Sequence, residues 1–362
     1  MTKQQFFVPS LRPWGTTTSR LTSPLLSVLP QRVRRPEEKL AFAFQYTLAF
    51  SEDSEYTLIF FDHNSMEMMY SAILAQSFAG GALGSDRFMQ AMLTGNKKDK
   101  TDVYSIVANS VGLERNQAKG AVLGSLYGMG QKGFIKALLS SIDNPHEKAR
   151  VKPIAKEAFY SMKGKKGASG LLEGGIASNF FNYSSINCKK DRPLVGPFQQ
   201  YYPKTLSPQY MSKIRSTASL NYAVQAGCAL TGLLSGFLSA AEGQFAAEGL
   251  AKEDCRYSSS IHDAVIYIVK KDKVKQASKA IVRAYIQCWA LAFTAFKLGA
   301  IPQKIAYDII IDVSHCIRKD AFTPIKTPAY EYTTPGYQIF VSPETGKLHR
   351  RDSAEDYKGY LF

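Results

Sequence analysis

The alternation of apolar and polar positions divides the chain into a few compact β-prone runs set between long stretches of helical period. The first clear strand is "YTLIFFD", residues 56–62, an apolar run that ends on an acid. "SMEMMYSAILAQSFAGG" follows it, with Met68, Met69, Ala72, Ile73 and Phe78 at helical spacing and Gly80 and Gly81 to close the helix. A polar loop, "TGNKKDKTD", precedes a long helical region. Residues 144–170 are basic and punctuated by glycine, and "KGKKGASG" within them reads as a mobile surface loop. "SIHDAVIYIV", 260–269, reads as two strands with His262 and Asp263 at or near the turn between them. "VKQASKAIVRAYIQCWALAFTAFKLG" is a long amphipathic helix, with Gly299 as its stop and Lys297 suited to its negative end. The tail after Phe322, rich in Pro, Thr and Tyr, reads as an extended, partly docked segment, and no internal repeat is present.

Within the long helical region, "ERNQAKGAVLGSLYGMGQ" spaces Arg115, Lys119, Leu123 and Tyr127 four apart. Steps of four advance about 40° around an α-helix, so these side chains form one slanted stripe roughly 18 Å long. Two cations lead it, an aromatic ends it, and Gly128 and Gly130 stop the helix. Taken alone, the stripe is either a solvated basic face or a surface shaped to hold a triphosphate.

Composition narrows the choice. The chain has 362 residues, enough for one large domain or two lobes, and its 45% hydrophobic content is ordinary for a globular protein. It carries 45 basic against 30 acidic residues, a net charge of +15. The surface field is therefore positive, which favours a polyanionic partner, nucleic acid before anionic membrane. The 5 cysteines, Cys188, Cys228, Cys255, Cys288 and Cys316, form no close pair. Neither a zinc site nor a disulfide framework is suggested, and a reducing compartment is the default. Asn221 to Ala241 is free of charge and contains the small-residue pair Gly232 and Gly236. Gln225, Thr231, Ser235 and Ser239 lower its hydrophobicity and no second span accompanies it, so it reads as a buried core helix and not a membrane span. Residues 1–36 contain basic residues and no acids, a pattern shared with mitochondrial presequences.

The chemistry rests on two acids that end or interrupt apolar strands, Asp62 and Asp263. A carboxylate beside a buried strand is costly unless it is paired or binds a cation. Each alone fits a strand-end aspartate capping the next helix or turn. Together, brought onto one sheet, they would suit two Mg²⁺ ions, which prefer carboxylate oxygens and serve phosphoryl transfer.

In sequence order these pieces run strand-acid-helix, Arg-Lys-Tyr helix, uncharged helix with "NYAVQ", and strand-"HD"-strand. In that order the chain resembles the family A DNA polymerases, and within them the mitochondrial gamma branch. "FFDHNSMEMM" is similar to the family's first catalytic motif, an Asp followed five residues later by Glu. "TDVYSIVANSVGLERNQAKGAVLGSLYGMGQKG" resembles its nucleotide-binding fingers helix, and "SIHDAVIYIV" its His-Asp-Glu motif. "GGIASNFFN" and "FKLGAIPQKIAYDIIIDVSHCIRKD" have gamma-type counterparts, and "PWGTTTSRL" resembles the start of the palm with its Thr-x-Arg element. The resemblance covers nearly the whole chain. It also gives the basic N-terminus a rival reading as palm, which is the one favoured here.

The resemblance implies a template-directed DNA polymerase core that transfers nucleotides from dNTP to a primer 3′-hydroxyl. Asp62 and Asp263 would be catalytic and hold two Mg²⁺ ions, while Arg115 and Lys119 would neutralise the β- and γ-phosphates. Tyr127 would pack near the template base, and Glu67 would lie under the sugar and exclude a 2′-hydroxyl. Arg20, Gln225 and His262 would contact primer-template DNA, His262 being equally a packed turn histidine. The fold implied is α+β: a right-hand polymerase with an antiparallel palm sheet from residues 1–82 and 216–320. Helical fingers would be inserted at 83–215, an extended tail would occupy 321–362, and no complete thumb would be present.

Departures from the family pattern accompany the likeness. Leu123 occupies the nucleotide-sugar position where the family has Phe or Tyr. Tyr104 replaces a histidine that reaches the triphosphate, and Ala264 replaces the glutamate after the second Asp. "PLLSVLP" lacks the Asn and Gln of the minor-groove element, and Leu230 replaces an Asp. With thumb and exonuclease expected to be missing, a second protein chain supplying them is anticipated. The alternative is a catalytically degenerate homologue kept as a structural or nucleic-acid-binding subunit. The gamma likeness points to mitochondria, with a phage enzyme in host cytoplasm as the other possibility.

Overall fold

The structure of the chain, a computed structural model, describes residues 54–187, 194–195, 200–201, 224–229, 232–261, 263–307, 309–317, 322, 325–326, 331–332, 336–342 and 345–353. It is an α+β protein with two compact units. One comprises the described parts of Ser65–Gly232 and Ala290–Pro302. The other comprises those of Met1–Asn64, Leu233–Trp289 and Gln303–Tyr360. The units divide after Asn64 and Gly232, whereas the sequence reading divided palm from fingers at 82 and 215.

The first unit is helical. Helix α1 (Met66–Ala79) is apolar all round, with Met66 and every residue from Met68 to Gln76 buried, as befits a helix enclosed by others. It stops at Gly80, whose φ of 70° is one that side chains rarely adopt. The loop beyond is gathered around the buried amide of Gln76. Its Nε2 donates to the Gly80 carbonyl at 2.8 Å and to Ser85 Oγ at 3.1 Å, and its Oε1 accepts the Gly84 and Asp86 N–H groups at 2.9 and 3.2 Å.

Asp86 then caps helix α2 (Arg87–Thr94), its Oδ1 accepting the N–H groups of Phe88 and Met89. Helices α3 (Val103–Asn109), α4 (Arg115–Leu126), α5 (Gln131–Ser140), α6 (Pro145–Val151), α7 (Ala155–Lys163) and α8 (Ser178–Asn187) follow. Edge-to-face rings knit them, Phe88 with Phe180 at 6.3 Å and Phe134 with Phe159 at 5.5 Å. Between α7 and α8, the stretch read as a mobile loop is a short hairpin that pairs Lys165–Lys166 with Leu172–Glu173. Asn182 clamps it, accepting the Leu172 N–H and donating to the Leu172 carbonyl, both at 2.9 Å.

The second unit is built on one antiparallel sheet. Its strands are β1 (Tyr56–Asp62), β2 (Cys255–Ile261), β3 (Ala264–Lys270), β4 (Ile310–Ser314), β5 (Tyr337–Val341) and β6 (Leu348–Arg351), in the order β6-β5-β4-β1-β3-β2. The apolar run of β1 lies in the middle of the sheet, between β3 and β4, and is buried on both faces. Alternation sends Ile59 and Phe61 to one face and Leu58, Phe60 and Asp62 to the other. On the first face Phe61 meets Phe237 of helix α9 (Leu233–Ala247) at 5.3 Å and Tyr285 of helix α10 (Val274–Ala295) at 5.6 Å. On the second, Leu58 and Phe60 join Ala264, Ile266 and Ile317 in an apolar cluster. Burial of each large side chain in these layers contributes about 1.5–3 kcal/mol.

Two details depart from the sequence reading. The tail beyond Phe322 does more than extend and dock, because β5 and β6 are integral strands of the sheet. Helix α10 ends at Ala295, before Gly299, and Lys297 past its end takes a left-handed φ of 57°. The Leu298 N–H returns to the Phe293 carbonyl there at 2.9 Å, satisfying the helix terminus without a glycine. The helical stretch Val224–Ala247, which takes in most of the charge-free segment read as a core helix, is, among the described residues, the one long and apolar enough to cross a membrane by length and composition, and 62% of its most apolar window is buried.

Candidate active site

The sheet unit joins the two acids. Asp62 is the last residue of β1, and its Cα partner on β3 is Ala264. Asp263 directly precedes Ala264, in the tight turn that links β2 to β3, where Ile261 pairs with Ala264. The two aspartates therefore sit one register position apart at the same end of adjacent strands, and both are half-buried. His63, the next residue after Asp62, turns the other way. Its ring lies 4.9 Å from Phe61, 4.8 Å from Phe237 and 5.3 Å from Tyr285, with no hydrogen-bond partner on either nitrogen. Burial lowers its pKa from 6.5 to about 3, so the ring is neutral.

The donor set fits divalent cations of the Mg²⁺ kind in a limited way. Two carboxylates supply hard anionic oxygens, and the remaining positions of such an ion are ordinarily taken by water and substrate phosphate. Among the described residues no group of three His, Cys, Asp or Glu side chains is disposed to hold a metal. Ala264 adds no carboxylate: it is 2% exposed and packed against apolar neighbours.

The helical unit carries the stripe. Helix α4 buries Ala118, Ala121, Val122, Ser125 and Leu126, leaving Arg115 and Leu123 half-exposed and Lys119 exposed. Tyr127 is its C-cap, and Gly128 follows with φ of 86°. Arg115 is held: its Nε donates to Asp102 Oδ2 at 2.8 Å, and its guanidinium carbon lies 4.7 Å from the centre of the Tyr104 ring. The Lys119 ammonium is 5.9 Å from the same ring. Tyr104 is buried, and burial pushes its phenol well up, so it remains protonated; Arg115 opposes the shift, while Asp102 and Glu67 reinforce it. Glu67 stands in the first turn of α1, half-buried.

Gln225 lies in a helical turn, half-buried, close to Gly227. A Cβ on Gly227 would stand 2.4 Å from the Tyr70 ring, so the turn seats directly on α1. Arg20 and His262 lie outside the described residues, as does Leu230.

Sequence reasoning missed two arrangements. Asp102 was passed over, although its position before "VYSIVAN" marks it as an N-cap, because its bond to Arg115 crosses from one helix to the next. A buried polar row on the sheet was missed as well. Phe60, Asp312, Gln338 and Arg351 are successive cross-strand partners. Gln338 Nε2 donates to Asp312 Oδ1 at 2.5 Å and Gln338 Oε1 accepts from Arg351 Nε at 2.7 Å. Nothing in the local sequence pairs residues from three separated strands.

With these geometries in hand, comparison with known proteins is informative. No family model matches the chain. Its fold is that of a DNA polymerase POL domain. It aligns with the POL domain of Pol1 from M. smegmatis, solved in complex with DNA primer-template and dNTP, at a TM-score of 0.56 over 85% of this chain and 47% of that one, with 14% identity. In sequence the chain is similar to the DNA polymerase gamma of Schizosaccharomyces pombe, 27% identical over 318 residues covering 82% of this chain and 30% of that protein. It is 25% identical to DNA polymerase subunit gamma-1 of Gallus gallus over 76% of this chain and 49% of the relative. With the DNA polymerase gamma of Komagataella pastoris it shares 23% identity over 90% of this chain and 31% of the relative. The chain thus resembles the family A polymerase domain, most nearly its gamma branch, and spans less than half the length of each of these curated relatives.

Proposed function

We propose that this chain is the palm-and-fingers core of a template-directed DNA polymerase. The primer 3′-oxygen would attack the α-phosphorus of a bound dNTP, forming a phosphodiester as the bond to pyrophosphate breaks. What carries the reading is the pairing of β1 with β3, which sets Asp62 beside the turn of Asp263 at one end of the sheet. Asp62 and Asp263 would hold two Mg²⁺ ions, which when bound lower the pKa of the attacking hydroxyl and stabilise charge on the leaving group. Arg115 and Lys119 would neutralise the β- and γ-phosphates, strengthening as charge develops on pyrophosphate. Tyr127 and Leu123 would line the position of the nascent base pair and sugar, and Glu67 would exclude a 2′-hydroxyl. Arg20, Gln225 and His262 would touch primer-template, and the net charge of +15 supports a polyanionic partner. Mitochondria are the proposed location, in keeping with relatives named as mitochondrial. A second chain bearing thumb, exonuclease or both belongs to the same reading.

Primer extension with Mg²⁺, run with and without candidate partner chains, tests it. Incorporation that disappears in the Asp263→Ala protein is the expected result. One observation favours a second reading, a retired polymerase fold that only binds nucleic acid: Ala264 is sealed in an apolar cluster where the family places an acid. Tight primer-template binding with no nucleotide addition under any of these conditions would establish that reading instead.

A further inference from the structure

We propose that Asp102 and Tyr104 are positioning residues that hold the Arg115 guanidinium as a preformed fork for two phosphate oxygens of the incoming nucleotide. This rests on the nucleotide-site reading of the α4 stripe and deepens it.

A guanidinium offers five N–H donors in one plane. At Arg115 the inner donor, Nε, is committed to Asp102 Oδ2 at 2.8 Å, and one face of the plane rests on the Tyr104 ring with 4.7 Å to its centre. Those two contacts fix both the rotation and the tilt of the group. Asp102 is itself tied down, because Ser105 Oγ donates to its Oδ1 while its backbone carbonyl accepts the Ile106 N–H as helix α3 begins. The two terminal nitrogens of Arg115 make no hydrogen bond to a described residue, and the side chain is 24% exposed. The outer edge, the one suited to bidentate phosphate recognition, is thus left for a ligand. One turn along α4, the Lys119 ammonium approaches the same Tyr104 ring, so a single aromatic floor organises both cations.

The arrangement explains the departure at Tyr104. Instead of reaching the triphosphate itself, the side chain supplies a buried, neutral platform beneath the residues that do. An unrestrained arginine gives up rotamer entropy when it is fixed, and restraint before binding removes part of that cost.

The test is direct binding of dATP, tripolyphosphate and deoxyadenosine to the full chain on primer-template. Asp102→Ser puts a residue favoured at helix N-caps in the same place but is too short to reach Arg115, while Asp102→Asn retains an acceptor. Asp102→Ser should weaken dATP and tripolyphosphate about 5- to 10-fold, leave deoxyadenosine unchanged, and have no further effect in an Arg115→Ala background. Asp102→Asn should recover part of the loss. Tyr104→Leu, which removes the ring beneath both cations, should bind dATP and tripolyphosphate more weakly than the parent chain. The proposal is overturned if Asp102→Ser has no effect where Arg115→Ala does, or weakens binding equally in both backgrounds. If Arg115→Ala itself leaves triphosphate binding intact, the nucleotide-site reading falls and takes this one with it.

Discussion

Asp62 stands opposite Ala264 in the ladder between β1 and β3, and Ala264 is packed with Leu58, Phe60, Ile266 and Ile317. A methyl group therefore fills a place that a carboxylate would have to enter beside two existing acids. Ala264→Glu should destabilise the sheet unit by about 2–4 kcal/mol, through desolvation and like-charge repulsion, without raising nucleotide addition. Urea unfolding midpoints read the effect. A stable variant with increased incorporation would contradict this account of the position.

Asp62→Asn and Asp263→Asn preserve size and remove charge. Each should reduce primer extension by about a thousandfold or more, with circular dichroism unchanged. Equal activity in either variant would remove that residue from the site.

Gln76 is wholly buried and makes four hydrogen bonds to the loop that follows α1. Gln76→Leu would leave the Gly84 and Asp86 N–H groups and the Gly80 carbonyl without that partner. The expected cost is about 1–3 kcal/mol, seen as a lower unfolding midpoint, because the buried Asp86 N–H and the part-buried Gly84 N–H lose their acceptor.

His63 presents the opposite case, a buried imidazole whose two nitrogens have no hydrogen-bond partner. His63→Phe keeps a ring among Phe61, Phe237 and Tyr285 and removes two unsatisfied polar atoms. At neutral pH the variant should be as stable as the parent or about 1 kcal/mol more stable. A loss above that size would reveal a role for the ring nitrogens.

Burial raises the thiols of Cys255 and Cys288 to about 12, and Cys288 also donates to the Leu233 carbonyl at 3.1 Å. At pH 9 only about a thousandth of such a thiol is ionised, against half of one with a pKa of 9.0. Native protein treated with iodoacetamide at pH 9 should leave both residues unmodified over times that fully label the urea-unfolded chain. Peptide mass spectrometry gives the comparison, and equal labelling rates would refute it.

What was legible in the sequence was local pattern and its order. "YTLIFFD" became β1 residue for residue, and the Met-rich stretch became α1 with Gly80 at its end. Both are dictated by periodicity and a breaker, which short windows contain. The adjacency of Asp62 and Asp263 came from motif order rather than spacing, since register between distant strands has no local signature. The same limit hid the Asp102–Arg115 bond and the Asp312–Gln338–Arg351 row. The tail failed differently: its prolines and threonines suggested extension, and the pairing of β5 with β4 across the sheet overrode that composition. At "KGKKGASG" the clamp that orders the hairpin is Asn182, which lies on the next helix.

The two outermost strands of the sheet, among the described residues, have a consequence for the protein in concentrated solution. On β6, Arg350 rests 3.8 Å above the Tyr337 ring and pairs with Asp352, and Arg351 is tied to Gln338, so charged side chains are fixed along that margin. On β2, an irregularity between Tyr257 and Ser259 breaks the even spacing of backbone groups, next to Arg256. Neither margin offers a flat, uncharged template for another copy to zip onto, which guards against fibrous aggregation during expression and storage.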